Sequence, residues 1–156
     1  MEREHHLIPL KVHGVLVDPN TDTQIVVLRD DGNTEVLPIW VGTAEGTSIR
    51  LALEGIVPPR PMSHDLITSF AQHLGFTVTK VIITEVKENT YYAVLHLTAN
   101  GIERVIDCRP SDAIAVAVRT KSPIYVTAEV LERKSSEHLD AWLAKLDLKH
   151  SDQSES

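Results

Sequence analysis

Asp107-Cys108-Arg109-Pro110-Ser111-Asp112-Ala113-Ile114 is the stretch on which the fold turns. From Asp107 to Asp112 it holds two carboxylates, a guanidinium and a hydroxyl. Apolar runs flank it, Val105 and Ile106 before and Ile114 to Val118 after. It reads as the junction between a buried strand and a buried helix. Pro110 suits the first helical position, where its missing N–H costs nothing. Asp112 then falls in the first turn, where the helix dipole favours an acid. Asp107 and Arg109 have no such local reason. They sit where α/β and α+β proteins often place chemistry.

Upstream, residues 102–108 form the strand that enters this junction, after a hairpin turn at Asn100-Gly101. Tyr91 to Leu97 alternates as a strand. Phe76 to Val86 is a longer one, whose apolar phase shifts between Val78 and Val81 and so predicts a bulge or two-sided burial. Before it, Leu66, Ile67, Phe70, Ala71 and Leu74 mark a helix with Ser63 as N-cap and Gly75 past its end. Pro58-Pro59-Arg60-Pro61 is a stiff, extended linker. Gly42 opens an earlier helix with the stripe Ile49, Ala52, Leu53 and Ile56. Three strands precede it, at 7–17, 24–29 and 34–41, with Asp31-Gly32 as a hairpin turn. Pro38 cannot donate to a ladder, which points to an edge or a bulge. Downstream, the helix from Pro110 runs to about Thr120. Pro123 to Val126 is a short strand and 128–134 a short helix or turn. Leu139, Trp142, Leu143 and Leu146 share one face of a helix at 135–148, and 149–156 is a polar tail.

Three strands, two helices, three strands, helix, strand and helix describe an α+β fold. Its sheet is expected to be mainly antiparallel or mixed, with the helices packed against it. The domain is expected over 1–134. A weak echo runs through the order: strand, short loop, acid and helix occur at Leu37–Leu53 with Glu45, and again at Val105–Val118 with Asp112.

The chain has 156 residues, 42% of them hydrophobic, which suffices for one ordinary core. Cys108 is the single cysteine, so no disulfide framework or cysteine zinc cluster is available. No run approaches the length of a membrane span, and the charged first residues lack a signal-peptide pattern. The expectation is a cytoplasmic protein without a membrane partner. The net charge is −7, and residues 135–156 carry five acids against two lysines. That argues against bulk duplex binding, which needs a basic face. A nuclease stays open, because a metal ion can supply local positive charge.

No Gly-rich phosphate loop, His-Glu-x-x-His, Gly-x-Ser-x-Gly or Cys-x-x-Cys occurs. The candidates are polar residues at helix starts: Glu45, Arg60, His64, Asp65, Asp107, Arg109, Ser111 and Asp112. Converging, the carboxylates and His64 would supply acid–base groups. Asp65, Asp107 and Asp112 would hold Mg²⁺ or Mn²⁺. Arg60, Arg109 and Ser111 would bind phosphate. Each has a plainer reading. Glu45, Asp65 and Asp112 suit a helix first turn for dipole reasons alone, and Asp107 and Arg109 are also accounted for as an ion pair.

Four motifs resemble those of the bifunctional nuclease domain family. They are Leu37-Pro38-Ile39-Trp40-Val41-Gly42 with Glu45-Gly46, Pro59-Arg60-Pro61-Met62-Ser63-His64-Asp65-Leu66, Tyr91-Tyr92-Ala93, and Asp107 to Ile114. The resemblance spans about residues 8–132. It implies an α+β fold, nuclease activity on RNA and DNA, nucleic acid as substrate and self-assembly into a homo-oligomer. It also implies that the eight polar residues above form one site. The alternative is a non-catalytic oligomeric binding or regulatory module, whose polar cluster serves a subunit interface or a small ligand.

Overall fold

A computed structural model describes residues 6–32 and 34–133. The helix expected at 135–148 and the tail at 149–156 lie outside the described residues. The strands are β1 (Leu7–Val17), β2 (Gln24–Arg29), β3 (Val36–Val41), β4 (Thr77–Lys87), β5 (Thr90–Ala99), β6 (Ile102–Cys108) and β7 (Ile124–Thr127). The helices are α1 (Thr43–Leu53), α2 (Ser63–His73), α3 (Pro110–Thr120) and α4 (Ala128–Arg133). The strands form one mixed sheet in the order β3-β2-β1-β7-β4-β5-β6. All neighbours are antiparallel except β4 and β7. This is a single-domain α+β fold.

Two meanders, β1-β2-β3 and β4-β5-β6, are joined by β7 between them. Each is followed by a helix that packs back on the sheet. Glu45 is the third residue of α1 and Asp112 the third of α3. The echo in the sequence therefore marks equivalent places in the two halves. The turns follow local chemistry. Asn100 and Gly101 both take positive φ, as a two-residue hairpin requires. Pro38 lies on the edge strand β3. The phase shift in β4 is a bulge between Val78 and Lys80, with a second between Ile83 and Glu85. Gly55 and Gly75 each follow a helix with positive φ, and the flanking amides bond back into the last turn.

The core lies between the sheet and α3. Ala113, Ile114, Ala115, Val116 and Ala117 are all buried, packed with Leu28, Leu37, Ile83, Ala93 and Val126. An all-round apolar helix is stable only in such a place.

Two expectations require correction. The strand before the junction is not buried: β6 is the outer edge of the sheet, and Ile102, Val105 and Ile106 are about half exposed. Among the described residues no helix covers both faces of this edge, and all of β6 but Cys108 is exposed. The α2 stripe is also open, with Leu66, Ile67, Phe70 and Leu74 between 46% and 67% exposed. Its N-terminal polar residues contact α3 instead, through His64 and Asp65. Ser63 is the first residue of α2 rather than its cap. Met62 holds the cap position, and its N–H donates to Asp65 Oδ2 at 2.8 Å.

Candidate functional site

The N-terminal ends of α1, α2 and α3 meet on the core side of the sheet. Arg109, the cap residue of α3, spans two of them. Its Nε donates to Asp112 Oδ2 and its Nη2 to Asp112 Oδ1, both at 3.0 Å. Its Nη1 donates to Glu45 Oε1 at 3.1 Å. Asp112 Oδ1 is also 2.9 Å from His64 Nε2 on α2. Behind the ring, His64 Nδ1 is 2.8 Å from Ser48 Oγ on α1. Arg119, about two turns further along α3, donates from Nη2 to Ser48 Oγ at 3.0 Å and from Nε to Asp65 Oδ1 at 2.7 Å. One polar chain thus runs Glu45, Arg109, Asp112, His64, Ser48, Arg119, Asp65 and ties three helices together.

The electrostatics follow from the pairing. Burial pushes the Asp112 carboxyl upward, but the bonds from Arg109 and His64 outweigh it and hold Asp112 below the usual carboxylate range. Glu45 is held low by its own backbone N–H and by Arg109. Asp65 is held low by the hydrogen bond from Arg119. Arg109 is raised by Asp112 and then Glu45. Exposure is graded: the Arg109 side chain is 63% exposed, Asp112 25% and His64 8%.

Of the eight expected residues, five join this chain: Glu45, His64, Asp65, Arg109 and Asp112. Asp107 does not. Cys108 stands opposite the core residue Ala93, so Asp107, one step back along the strand, faces the other side of the sheet. Among the described residues the Asp107 side chain makes no hydrogen bond or ion pair, so the expected pair with Arg109 is replaced by Arg109 with Asp112 and Glu45. Arg60 is exposed in the linker before α2 and likewise has no side-chain hydrogen bond among the described residues. Ser111 is buried in the first turn of α3, away from any approaching phosphate.

Ser48 and Arg119 were not among the expected residues. The signal was present: Ser48 is three residues after Glu45, and Arg119 seven after Asp112, so each shares its helix face with the expected acid. Ser48, His64 and Asp112 form a serine–histidine–aspartate series, but Ser48 is 2% exposed and already accepts from Arg119. It cannot reach a substrate as a nucleophile. Cys108 is equally unsuited, because burial, with Asp112 and Asp107 adding to it, pushes its thiol up to about 11.

The arrangement does not fit a divalent cation. Glu45, Asp65 and Asp112 all point at guanidinium groups, and Asp107 is on the far side of the sheet. Among the described residues, no group of three or more His, Cys, Asp or Glu side chains is placed to hold an ion. A cleft of about 420 Å³ lies at the other end of α3, lined by Leu10, Val12, Leu53, Val118 and Ile124 among others, and contains none of these polar residues.

Fold and site together describe an α+β domain organised around paired charges at three helix starts. The chain belongs to the bifunctional nuclease domain family, whose model matches residues 26–138. An uncharacterized protein of Mycobacterium tuberculosis is 37% identical over 122 residues, covering 78% of this chain and 73% of that protein. Bifunctional nuclease 1 of Oryza sativa subsp. japonica is 35% identical over 109 residues, covering 68% of this chain and 33% of its own length. Bifunctional nuclease 1 of Arabidopsis thaliana is 34% identical over 116 residues, with shares of 72% and 36%. The chain thus spans about a third of these plant relatives. Among the described residues no helix is long and apolar enough to cross a membrane.

Proposed function

We propose that the protein is a nuclease acting on phosphodiester bonds of RNA and DNA, with Arg109 as the phosphate contact and Asp112 as the base. The observation that carries this reading is a count of donors. Arginine has five N–H groups. Arg109 commits three to Asp112 and Glu45 and keeps one on each Nη, in a side chain that is mostly exposed. Two parallel donors suit two phosphate oxygens. Asp112 takes three hydrogen bonds on a carboxylate with about four acceptor positions. The remaining one accepts a proton from the water as its oxygen bonds to phosphorus, and the P–O bond to the leaving oxygen breaks with that oxygen taking a proton from solvent. His64 and Glu45 keep the carboxylate and the guanidinium in register. Arg60, exposed on the linker into α2, is a second phosphate contact. The carboxylates face arginines, so this reading needs neither Mg²⁺ nor Mn²⁺.

The test is cleavage of labelled single-stranded RNA and DNA by the purified protein, with and without EDTA. Cleavage is expected to persist in EDTA. Asp112→Ala is expected to abolish it while circular dichroism stays that of a folded protein, and Arg109→Ala to raise KM. Undiminished cleavage by Asp112→Ala would sink the assignment.

The open apolar faces of α2 and β6 favour a second reading, a homo-oligomeric binding module without turnover. It expects no cleavage under any condition and a sedimentation coefficient that falls in Phe70→Ser. An unchanged coefficient counts against it.

A further inference from the structure

We infer that Ser48 and Arg119 are positioning residues that lock His64 in the tautomer with hydrogen on Nε2, making it a donor to Asp112. The inference rests on the hydrogen-bond chain and takes its functional meaning from the nuclease reading above.

A guanidinium donates and never accepts. The Arg119 Nη2 bond at 3.0 Å therefore delivers a hydrogen to Ser48 Oγ. Arg119 is itself held in place by Asp65 at 2.7 Å and by the Ala115 carbonyl at 3.1 Å, and its side chain is 10% exposed. Ser48 has one hydroxyl hydrogen to give. Its other neighbour is His64 Nδ1, at 2.8 Å, so that nitrogen is the acceptor. The ring hydrogen then belongs to Nε2, which faces Asp112 Oδ1 at 2.9 Å. Every donor in the series has an acceptor. The opposite tautomer gives Ser48 Oγ two incoming hydrogens and leaves its own hydrogen with no acceptor among the described residues. It also sets a bare Nε2 against a carboxylate. Both faults fall on side chains that are at least nine-tenths buried or turned toward one, where unpaired groups are costly.

The consequence is a division of roles. His64 does not take the proton from water. It holds Asp112 under Arg109, and the polarity of that hold is fixed from both sides, by the Asp112 carboxylate at Nε2 and by Arg119 acting through Ser48 at Nδ1.

Nitrogen-15 NMR of the ring, in the full chain at neutral pH, tests this directly. The wild-type His64 signals are expected to show a protonated Nε2 and a bare Nδ1. Arg119→Gln introduces a carbonyl that can take the Ser48 hydrogen, so Nδ1–H becomes populated. Ser48→Ala removes the relay and leaves the Asp112 carboxylate alone to hold the tautomer, so a measurable Nδ1–H population is expected there too. Where cleavage is measurable, kcat is expected to fall about tenfold or more with KM little changed, the scale on which partners that orient a histidine act. A wild-type ring protonated on Nδ1 overturns the inference even if both variants fail to fold. A wild-type tautomer that survives in a folded Arg119→Gln or Ser48→Ala also overturns it. The expected spectra uphold it whether or not the protein cleaves nucleic acid, so the two proposals fail separately.

Discussion

Asp112 serves as N-terminal acid of α3, as clamp for Arg109 and as acceptor for His64. The first role is legible in the Pro-Ser-Asp start, and it is sufficient by itself, which is why the others were not. A helix-start acid gives no sign in sequence of what approaches it from other elements. Glu45 and Asp65 share that ambiguity, and Ser48 and Arg119 lack even a helix-start position to single them out. Asp107 misled for a simple geometric reason: one residue along a strand reverses the face. The paired acids also set the acid limit of the protein. Asp112, Glu45 and Asp65 all titrate below their ordinary values in the folded chain. A lowered folded pKa contributes stability above the unfolded value, near 4, that is lost as pH falls through the folded value. Thermal midpoints are therefore expected to hold from about pH 7 to 5 and to fall below about pH 4. Glu45→Gln should start lower and show a shallower acid decline. A decline as steep as wild type would remove Glu45 from the account.

At the scale of elements, hydrophobic periodicity located the helices well and their burial unevenly. The pattern of α3, apolar on most sides, matched its position in the core. The stripe of α2 was just as clear in sequence, yet it is open, because periodicity reports that a face is apolar and not what covers it. The same limit applies to β6, whose Val105 and Ile106 read as core and lie on a sheet edge. Substitution costs should follow the structure. Ile114→Ala, at 0% exposure, is expected to lower unfolding stability by about 2–5 kcal/mol in urea titration. Phe70→Ser, at 61% exposure, should cost under about 1 kcal/mol in the isolated chain. A larger loss at Phe70 than at Ile114 would mean that the α2 face is covered in solution. That outcome would strengthen the oligomeric reading over the catalytic one.

At the scale of the molecule, strand order in sequence cannot supply the β7 insertion, which pairs parallel with β4 and antiparallel with β1 across long separations. That insertion unites the two meanders and sets α1 and α3 side by side, so that Glu45 and Asp112 reach the same arginine. The overall charge of −7 then bears on the proposed substrate. Beyond a Debye length of about 8 Å at physiological salt the acidic surface is screened, and close contacts decide binding. The proposal allots two, Arg109 and Arg60. For single strands, the logarithm of affinity falls with the logarithm of salt by about 0.7 per neutralised phosphate, so the expected slope is about −1.4. Arg60→Ala should roughly halve it. Fluorescence anisotropy of a labelled oligonucleotide, titrated across salt with Asp112→Ala to prevent turnover, measures both slopes. A slope several times steeper would require a basic surface that the described residues do not assemble around the three helix starts, and would place nucleic acid elsewhere on the molecule.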